Sequence, residues 1–215
     1  MSDDSNPPGA DGPDDIDPLA FDAAEDIDDA AAAIRDGELV VYPTETVYGL
    51  AADATDPDAI ERVFEAKGRA RDKPVSLAVP DVETALDYTR PTDREERFIR
   101  KFLPGPVTVV VERRDVVPDA LTGGAPKVGV RVPEHLVALA LLEAAGPVTA
   151  TSANVSGNPS ATSVADLDAI TEEAAVVLDG GETGGTGSTV VDVEAGTIHR
   201  RGVNADAVER WLDEQ

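Results

Sequence analysis

The stretch Leu39-Val-Val-Tyr-Pro-Thr-Glu-Thr-Val-Tyr-Gly-Leu50 decides the fold class. Four consecutive apolar residues, Leu39 to Tyr42, are too few for a helix and read as a buried strand, which Pro43 ends by withdrawing a backbone donor. Beyond Pro43 comes a run of hydroxyls and one carboxylate, Thr44, Glu45 and Thr46, closed by Tyr48 and Gly49. Polar residues directly after a buried strand stand where open α/β sheets gather their ligands. A Pro/Thr turn with Tyr48 tucked into the core explains the same residues equally well.

Outward from this stretch the same rhythm repeats. Before it, Ala23, Ala24, Ile27, Ala31 and Ile34 recur at helical spacing until Gly37. After it, Asp56-Pro57 starts a helix carrying Ile60, Val63 and Phe64; Val75 to Val79 is a strand; and Thr92 with Glu95 forms a capping box. Strands are expected at 107–111, 128–132, 148–151, 174–178, 188–193 and 197–200. Helices are expected from Pro133 to Ala145, from a cap at Ser163 through Thr171, and after a cap at Asn204, with Val208, Trp211 and Leu212 on one face. Alternating helix and strand over residues 21–215 predicts a single α/β domain on a twisted, mixed β-sheet flanked by helices. Residues 1–20, rich in Asp, Pro, Gly and Ser, predict a disordered acidic tail.

Composition narrows the chemistry. The 215 residues hold no Cys and two separated histidines, His135 and His199, which argues against disulfides, a Cys nucleophile and zinc. No apolar run reaches the roughly 20 residues of a membrane span, and the acidic N-terminus does not read as a signal peptide, so a cytoplasmic protein away from membranes is expected. With 43 Asp+Glu against 18 Lys+Arg the net charge is −25. Such a surface repels itself at ordinary ionic strength, and molar salt, with a Debye length of about 3 Å, screens that repulsion, so the composition points to a saline source, with an acidic protein that simply avoids anionic partners as the plain alternative. The same charge argues against direct RNA binding, which needs broad Lys/Arg excess.

Against that background three places stand out. The first is Pro43 to Leu50. The second is Lys67-Gly-Arg69-Ala-Arg71-Asp-Lys73-Pro74, four cations in a chain poor in them; clustered cations repel unless an anion joins them, which suits a polyphosphate, with a solvated helix end as the plain alternative. The third is Ala150-Thr-Ser152-Ala-Asn154-Val-Ser-Gly-Asn-Pro-Ser160, whose hydroxyls and amides suit phosphate oxygens and base edges, or else make a surface loop. Arg131, alternating with Val128, Val130 and Val132, faces solvent or meets a carboxylate ligand. Gly181 to Thr189 is glycine-rich but has no Lys before its final Ser/Thr and leads into a strand, so it is not a P-loop.

Taken in order, PTETVYGLAADA, EAKGRARDKPVSL, FLPGPVTVVV, VGVRVPEH, PVTATSANVSG, and STVVDV with IHRRG after it resemble the YrdC-like domain family, the threonylcarbamoyl-AMP synthases. The resemblance spans Leu39 to Gly202, and its most specific elements are the K-x-R of Lys67 and Arg69 and the S-x-N of Ser152 and Asn154. It implies the YrdC-like fold. It also implies an enzyme, a nucleotidyltransferase joining L-threonine, bicarbonate and ATP, with Mg²⁺, into threonylcarbamoyl-adenylate and pyrophosphate. A downstream threonylcarbamoyl transferase system acting on tRNA would consume the product.

Residue by residue, the resemblance gives Thr46, Arg131, the backbone at Ala150 and Ser188 to threonine. Lys67, Arg69, Lys73, Ser152, Asn154, Ser160 and Arg200 go to ATP, with Lys67 and Arg69 as the catalytic cations, and no metal site of the protein's own is implied. Two positions depart from the pattern. Ala78 stands where many relatives have a His near threonine, and Lys127 where they often have Thr. The chain resembles the single-domain form of the family. Two rival readings are a non-catalytic RNA-binding or translation-associated module and a carbamoyl-AMP-forming domain of a hydrogenase-maturation protein, which usually sits in a longer chain.

Overall fold

The computed structural model describes residues 23–167 and 169–214; the tail expected over residues 1–20 lies outside them. In chain order the elements are α1 (Ala23–Arg35), β1 (Leu39–Tyr42), β2 (Gly49–Ala51), α2 (Pro57–Lys67), β3 (Ser76–Ala78), α3 (Val82–Tyr88), α4 (Asp93–Phe102), β4 (Val107–Glu112) and α5 (Asp119–Thr122). They continue with β5 (Lys127–Arg131), α6 (Leu136–Ala145), β6 (Val148–Ser152), a 3₁₀ turn (Val164–Asp166), α7 (Ile170–Glu173), β7 (Ala174–Val177), β8 (Thr189–Asp192), β9 (Thr197–Arg200) and α8 (Ala205–Glu214).

The strands form one mixed sheet in the order β7-β1-β2-β6-β3-β5-β4-β8-β9. β7 with β1, β3 with β5 and β4 with β8 run parallel, and the other neighbours antiparallel. β6 joins the two halves: Ser152 and Thr151 pair with Gly49 and Leu50 on one side, and Ala150, Thr149 and Val148 pair with Ser76, Leu77 and Ala78 on the other.

β1 shows why the sheet needs layers on both faces. Its four residues are all buried, and successive side chains point to opposite sides. Val40 and Tyr42 join the cluster made with α1 and α6, whereas Leu39 and Val41 join the one made with α2 and Ile170 of α7. A third cluster under β3, β4, β5 and β8 takes Phe98 and Ile99 of α4 and Val208 and Trp211 of α8. There Trp211 meets the Phe98 ring edge-on, centroids 4.9 Å apart. Trp211→Ala would cost about 3–5 kcal/mol by emptying that contact.

The strands expected from sequence are present, with ends shifted by a residue or so, and Thr92 and Glu95 form the capping box of α4. Three local readings are corrected. Gly49–Ala51, read as the end of a loop, is strand β2, where two partner strands satisfy a short segment that carries little signal by itself. The helix expected from Pro133 begins at Leu136, because His135 is extended and its carbonyl accepts the first helical bond, from Leu139. The helix expected from Ser163 to Thr171 is a single 3₁₀ turn followed by separate α7: the Asp166 carboxylate accepts from both Thr162 and Ser163 and closes the turn on itself, and Leu167 is extended. Asn204 stands at the cap position of α8 as expected, its carbonyl accepting from Val208 N at 3.0 Å, and does so at φ 65°, in the left-handed region that Asn tolerates.

Candidate active site

A cleft of about 490 Å³ opens on the sheet, bounded by β1, β3, β4, β5, β6, β8 and β9 and by the segments after β1, β6 and α2. Its floor is held open by Gly129 of β5. A Cβ there would lie 2.5 Å from Ser76 Oγ and 3.0 Å from Thr108 Cγ2, so any side chain would fill the space between three strands.

Three guanidinium groups reach the cleft, from Arg69, Arg131 and Arg200. Each is held by neighbouring oxygens. Arg69 Nε donates to Lys73 O and its Nη2 to Pro74 O, both at 2.9 Å. Arg200 Nε donates to Ser188 O at 2.9 Å and its Nη2 to Ser188 Oγ at 2.8 Å. Arg131 Nη2 donates to Thr46 Oγ1 at 2.7 Å and stands 2.9 Å from Glu45 Oε2. That contact is an ion pair by distance but lacks hydrogen-bond alignment: both Glu45 oxygens, Arg131 Nε and nearby His135 Nδ1 are buried without a hydrogen bond.

The electrostatics reflect the geometry. Partial burial, then the charges of Arg131 and Arg69, pull the Arg200 pKa down, although the residue as a whole is exposed. Burial alone lowers that of Arg69. Tyr42, fully enclosed beside Arg131 and Glu45, is raised to about 12, chiefly by burial. No Asp or Glu lines this cleft among the described residues. Three converging guanidinium groups, one of them beside the buried Glu45 carboxylate, with hydroxyls between them, make a receptor for an anion.

The residues expected from sequence divide sharply. Arg69, Arg131, Ala150, Ser152, Ser160, Ser188 and Arg200 line the cleft. Thr46 stands behind it, fully buried, as the hydroxyl that orients Arg131. Lys67, Lys73 and Asn154 do not line it. The four clustered cations therefore do not act as one anion receptor: Arg69 enters the cleft, Arg71 pairs with Glu61 and Glu65, Lys73 is exposed, and Lys67 is buried against the carbonyls of Ser152 and Asn154. Gly68, at φ 56°, ends α2 and turns the chain so that residues 67 and 69 part company.

Several wall residues carry no clear mark in the sequence. Tyr42, Ser76, Thr108 and His199 all contribute, and Thr108 Oγ1 lies 3.0 Å from Ser188 Oγ. A hydroxyl inside the apolar run Val107 to Val111 was the signal for Thr108; Ser76 and His199 gave none. Lys127 reaches the rim, but its ammonium bonds Asp192 Oδ2 and Glu194 Oε2, each at 2.8 Å. Oxygens of those two residues and of buried Glu95 lie within 4.8 Å of one another. Ala78 is buried in the α1–α6 cluster as the register partner of Arg131.

The glycine-rich segment behaves as a strap. Gly185 N donates to Thr46 O at 2.7 Å, Thr183 N to Thr162 O at 2.8 Å, and Tyr48 Oη to Gly181 O at 2.8 Å. Tyr48 is thus both core residue and anchor, and the strap delivers Gly187 and Ser188 to the cleft.

The Sua5/YciO/YrdC family model, described as "Telomere recombination", matches residues 32–202. The chain belongs to the Sua5/YciO/YrdC family. Among curated Sua5/YciO/YrdC relatives, the threonylcarbamoyl-AMP synthase of Pyrococcus abyssi is 44% identical over 168 residues, covering 76% of this chain and 49% of the relative. That of Bacillus subtilis is 40% identical over 170 residues, 75% of this chain and 48% of the relative. The chain therefore spans about half the length of these two relatives. Among solved Sua5/YciO/YrdC structures, P. abyssi Sua5 complexed with L-threonine superposes with a TM-score of 0.76 at 42% identity, over 82% of this chain and 54% of that one. The YrdC-like fold expected from the motifs is the fold observed. No helix among the described residues is long and apolar enough to cross a membrane.

Proposed function

We propose that the chain is a threonylcarbamoyl-AMP synthase, a nucleotidyltransferase that makes threonylcarbamoyl-adenylate and pyrophosphate from L-threonine, bicarbonate and ATP. The convergence of Arg69, Arg131 and Arg200 on one cleft carries this reading. It is supported by the curated names of the two relatives and by the threonine-bound structure. The cations answer the chemical difficulty. The threonine amine attacks bicarbonate and water leaves, giving an N-carboxylate. One oxygen of that carbamate then attacks the α-phosphorus of ATP, a new P–O bond forms, and the bond to the β-phosphate oxygen breaks to release pyrophosphate. An anion must approach a polyanion, and fixed positive charge lowers that barrier.

In this reading Arg131 takes the threonine carboxylate. Thr46 holds Arg131 in place, and Ala150 and Ser188 border the amino acid. Arg69 and Arg200, with Ser152 and Ser160, face the nucleotide, and Lys73, exposed and tied through its carbonyl to the Arg69 guanidinium, would have to swing its side chain inward to reach the phosphates. Mg²⁺ enters as part of the MgATP substrate; the cleft wall offers it hydroxyls rather than carboxylates, a donor set suited to an ion that keeps its phosphate oxygens and water. Bound there, Mg²⁺ would neutralise developing charge on the phosphates. The product would pass to a threonylcarbamoyl transferase system acting on tRNA, in the cytoplasm.

The reading is tested by measuring pyrophosphate from purified protein with ATP, Mg²⁺ and bicarbonate, with and without threonine. Threonine-dependent release is expected. Dependence on carbamoyl phosphate instead would select the hydrogenase-maturation type of reaction, and tight RNA binding without turnover would select a non-catalytic module.

A further inference from the structure

Lys67 is 2% exposed and among the largest fully buried side chains. An ammonium taken out of water is stable only if its donors are used. Here Nζ donates to Asn154 O at 2.6 Å and to Ser152 O, the carbonyls on either side of Ala153. The main chain of Lys67 acts on the same loop, its carbonyl accepting from Ser156 N at 2.8 Å. One residue at the end of α2 thus grips the loop at three points across five residues.

Asn154 completes the arrangement from inside the loop. Its Oδ1 accepts from Ser152 Oγ, and its Nδ2 donates to Val155 O at 2.9 Å and Asn158 O at 3.0 Å. Lys67 and Asn154 stand behind the cleft wall, while Ser152 and Ser160, at the two ends of the loop they organise, form part of it. Two residues after Lys67 the chain has turned at Gly68 and Arg69 faces the cleft.

We propose that Lys67 is a positioning residue: it fixes the Ser152–Ser160 loop and acts on nucleotide only through that loop, and Arg69 alone of the two meets phosphate. The second half of this statement rests on the proposed function; the first does not.

The test compares the full chain with Lys67→Met, Lys67→Arg and Arg69→Met. Without ligand, hydrogen exchange over residues 153–159 should quicken by about tenfold or more in Lys67→Met, because the amides of Asn154, Ser156 and Asn158 lose their supported geometry, and should stay within about twofold of wild type in Arg69→Met. In turnover, Lys67→Met should raise KM for both ATP and threonine, since β6 carries Ala150 and Ser152 together, whereas Arg69→Met should raise that for ATP alone. Lys67→Arg, which keeps charge and donors, should recover part of each loss. Wild-type exchange in Lys67→Met combined with a rise in the ATP KM alone would make Lys67 a direct phosphate ligand and overturn the proposal. If Lys67→Met does not fold, Lys67→Gln serves in the same comparison. Exchange needs no turnover, so a wild-type protein that releases no pyrophosphate would refute the proposed function and leave the exchange result to decide on Lys67.

Discussion

Arg200 holds Ser188 twice, through the carbonyl at 2.9 Å and the hydroxyl at 2.8 Å, and the same hydroxyl lies 3.0 Å from Thr108 Oγ1. This chain of contacts crosses β9, the segment before β8, and β4 at the cleft wall. It ties the cation assigned to nucleotide to the hydroxyl assigned to threonine. Ser188→Ala removes one charge-assisted bond, worth about 1.5–3 kcal/mol when well shielded. Solvent at the cleft mouth favours the lower end, so kcat/KM should fall about tenfold, with both substrates affected. Steady-state kinetics with each substrate varied in turn check this; a loss confined to ATP would break the proposed link.

Arg131 is the cation that Thr46 Oγ1 accepts from and that Glu45 stands beside. Arg131→Met should raise the threonine KM by about a hundredfold, the value of a lost charge-assisted pair with a carboxylate, and leave the ATP KM within a few-fold. An unchanged threonine KM would remove Arg131 from the amino acid site.

Gly129→Ala tests whether the floor of the cleft must stay empty. The added Cβ meets Ser76 Oγ at 2.5 Å. Stability should fall by about 1–3 kcal/mol from overpacking, with activity lost more severely than stability. Urea denaturation and turnover on one sample separate the two effects, and full activity would show that the floor has room to spare.

The layering was legible because it rests on periodic apolar residues: β1, β4, β5 and the first turns of α2 and α4 are marked by Leu39, Val107, Val128, Asp56 and Thr92 and their neighbours. β2 was not, since Gly49, Leu50 and Ala51 form a strand only when β1 and β6 flank them. In the site, residue types were readable but directions were not. Nothing in Lys67-Gly-Arg69 says that two adjacent cations part, one into the core and one into the cleft; that depends on the left-handed turn at Gly68 and on carbonyls about 85 residues away at Ser152. Ser76 and His199 became wall residues only through strand pairing, which no local pattern encodes.

Charge should dominate stability. With a net charge of −25, Tm should rise steeply as KCl is raised toward molar concentration, because screening relieves carboxylate repulsion. A Tm indifferent to KCl would show that the acidic surface is not adapted to salt.

Asp192 and Lys127 make stability depend on pH in a defined direction. Burial acts against each charge and is outweighed, for Asp192 by Lys127, the Ala195 amide and His199 together and for Lys127 by Asp192 and Glu194 together, which leaves the Asp192 pKa below its ordinary 3.8 and the Lys127 pKa above 10.5. A depressed carboxylate contributes stability above its unfolded pKa and loses it as pH falls through the folded value; a raised ammonium contributes below its unfolded pKa and loses it as pH rises through the folded value. The stability gap between wild type and Asp192→Asn should therefore be flat from about pH 5 to pH 10 and narrow below about pH 3.8. A gap that widens on acidification would contradict the pairing.

The most direct measurement supplies ¹³C-bicarbonate, threonine, ATP and Mg²⁺ to the purified protein in concentrated KCl and weighs the nucleotide product by mass spectrometry. An adenylate carrying both threonine and the single labelled carbon, formed together with pyrophosphate and, at threonine near the wild-type KM, formed more than about tenfold more slowly by Arg131→Met, is the expected result. A cooperatively folded protein that yields no labelled adenylate under these conditions would show that the three arginines of the cleft serve some other anion.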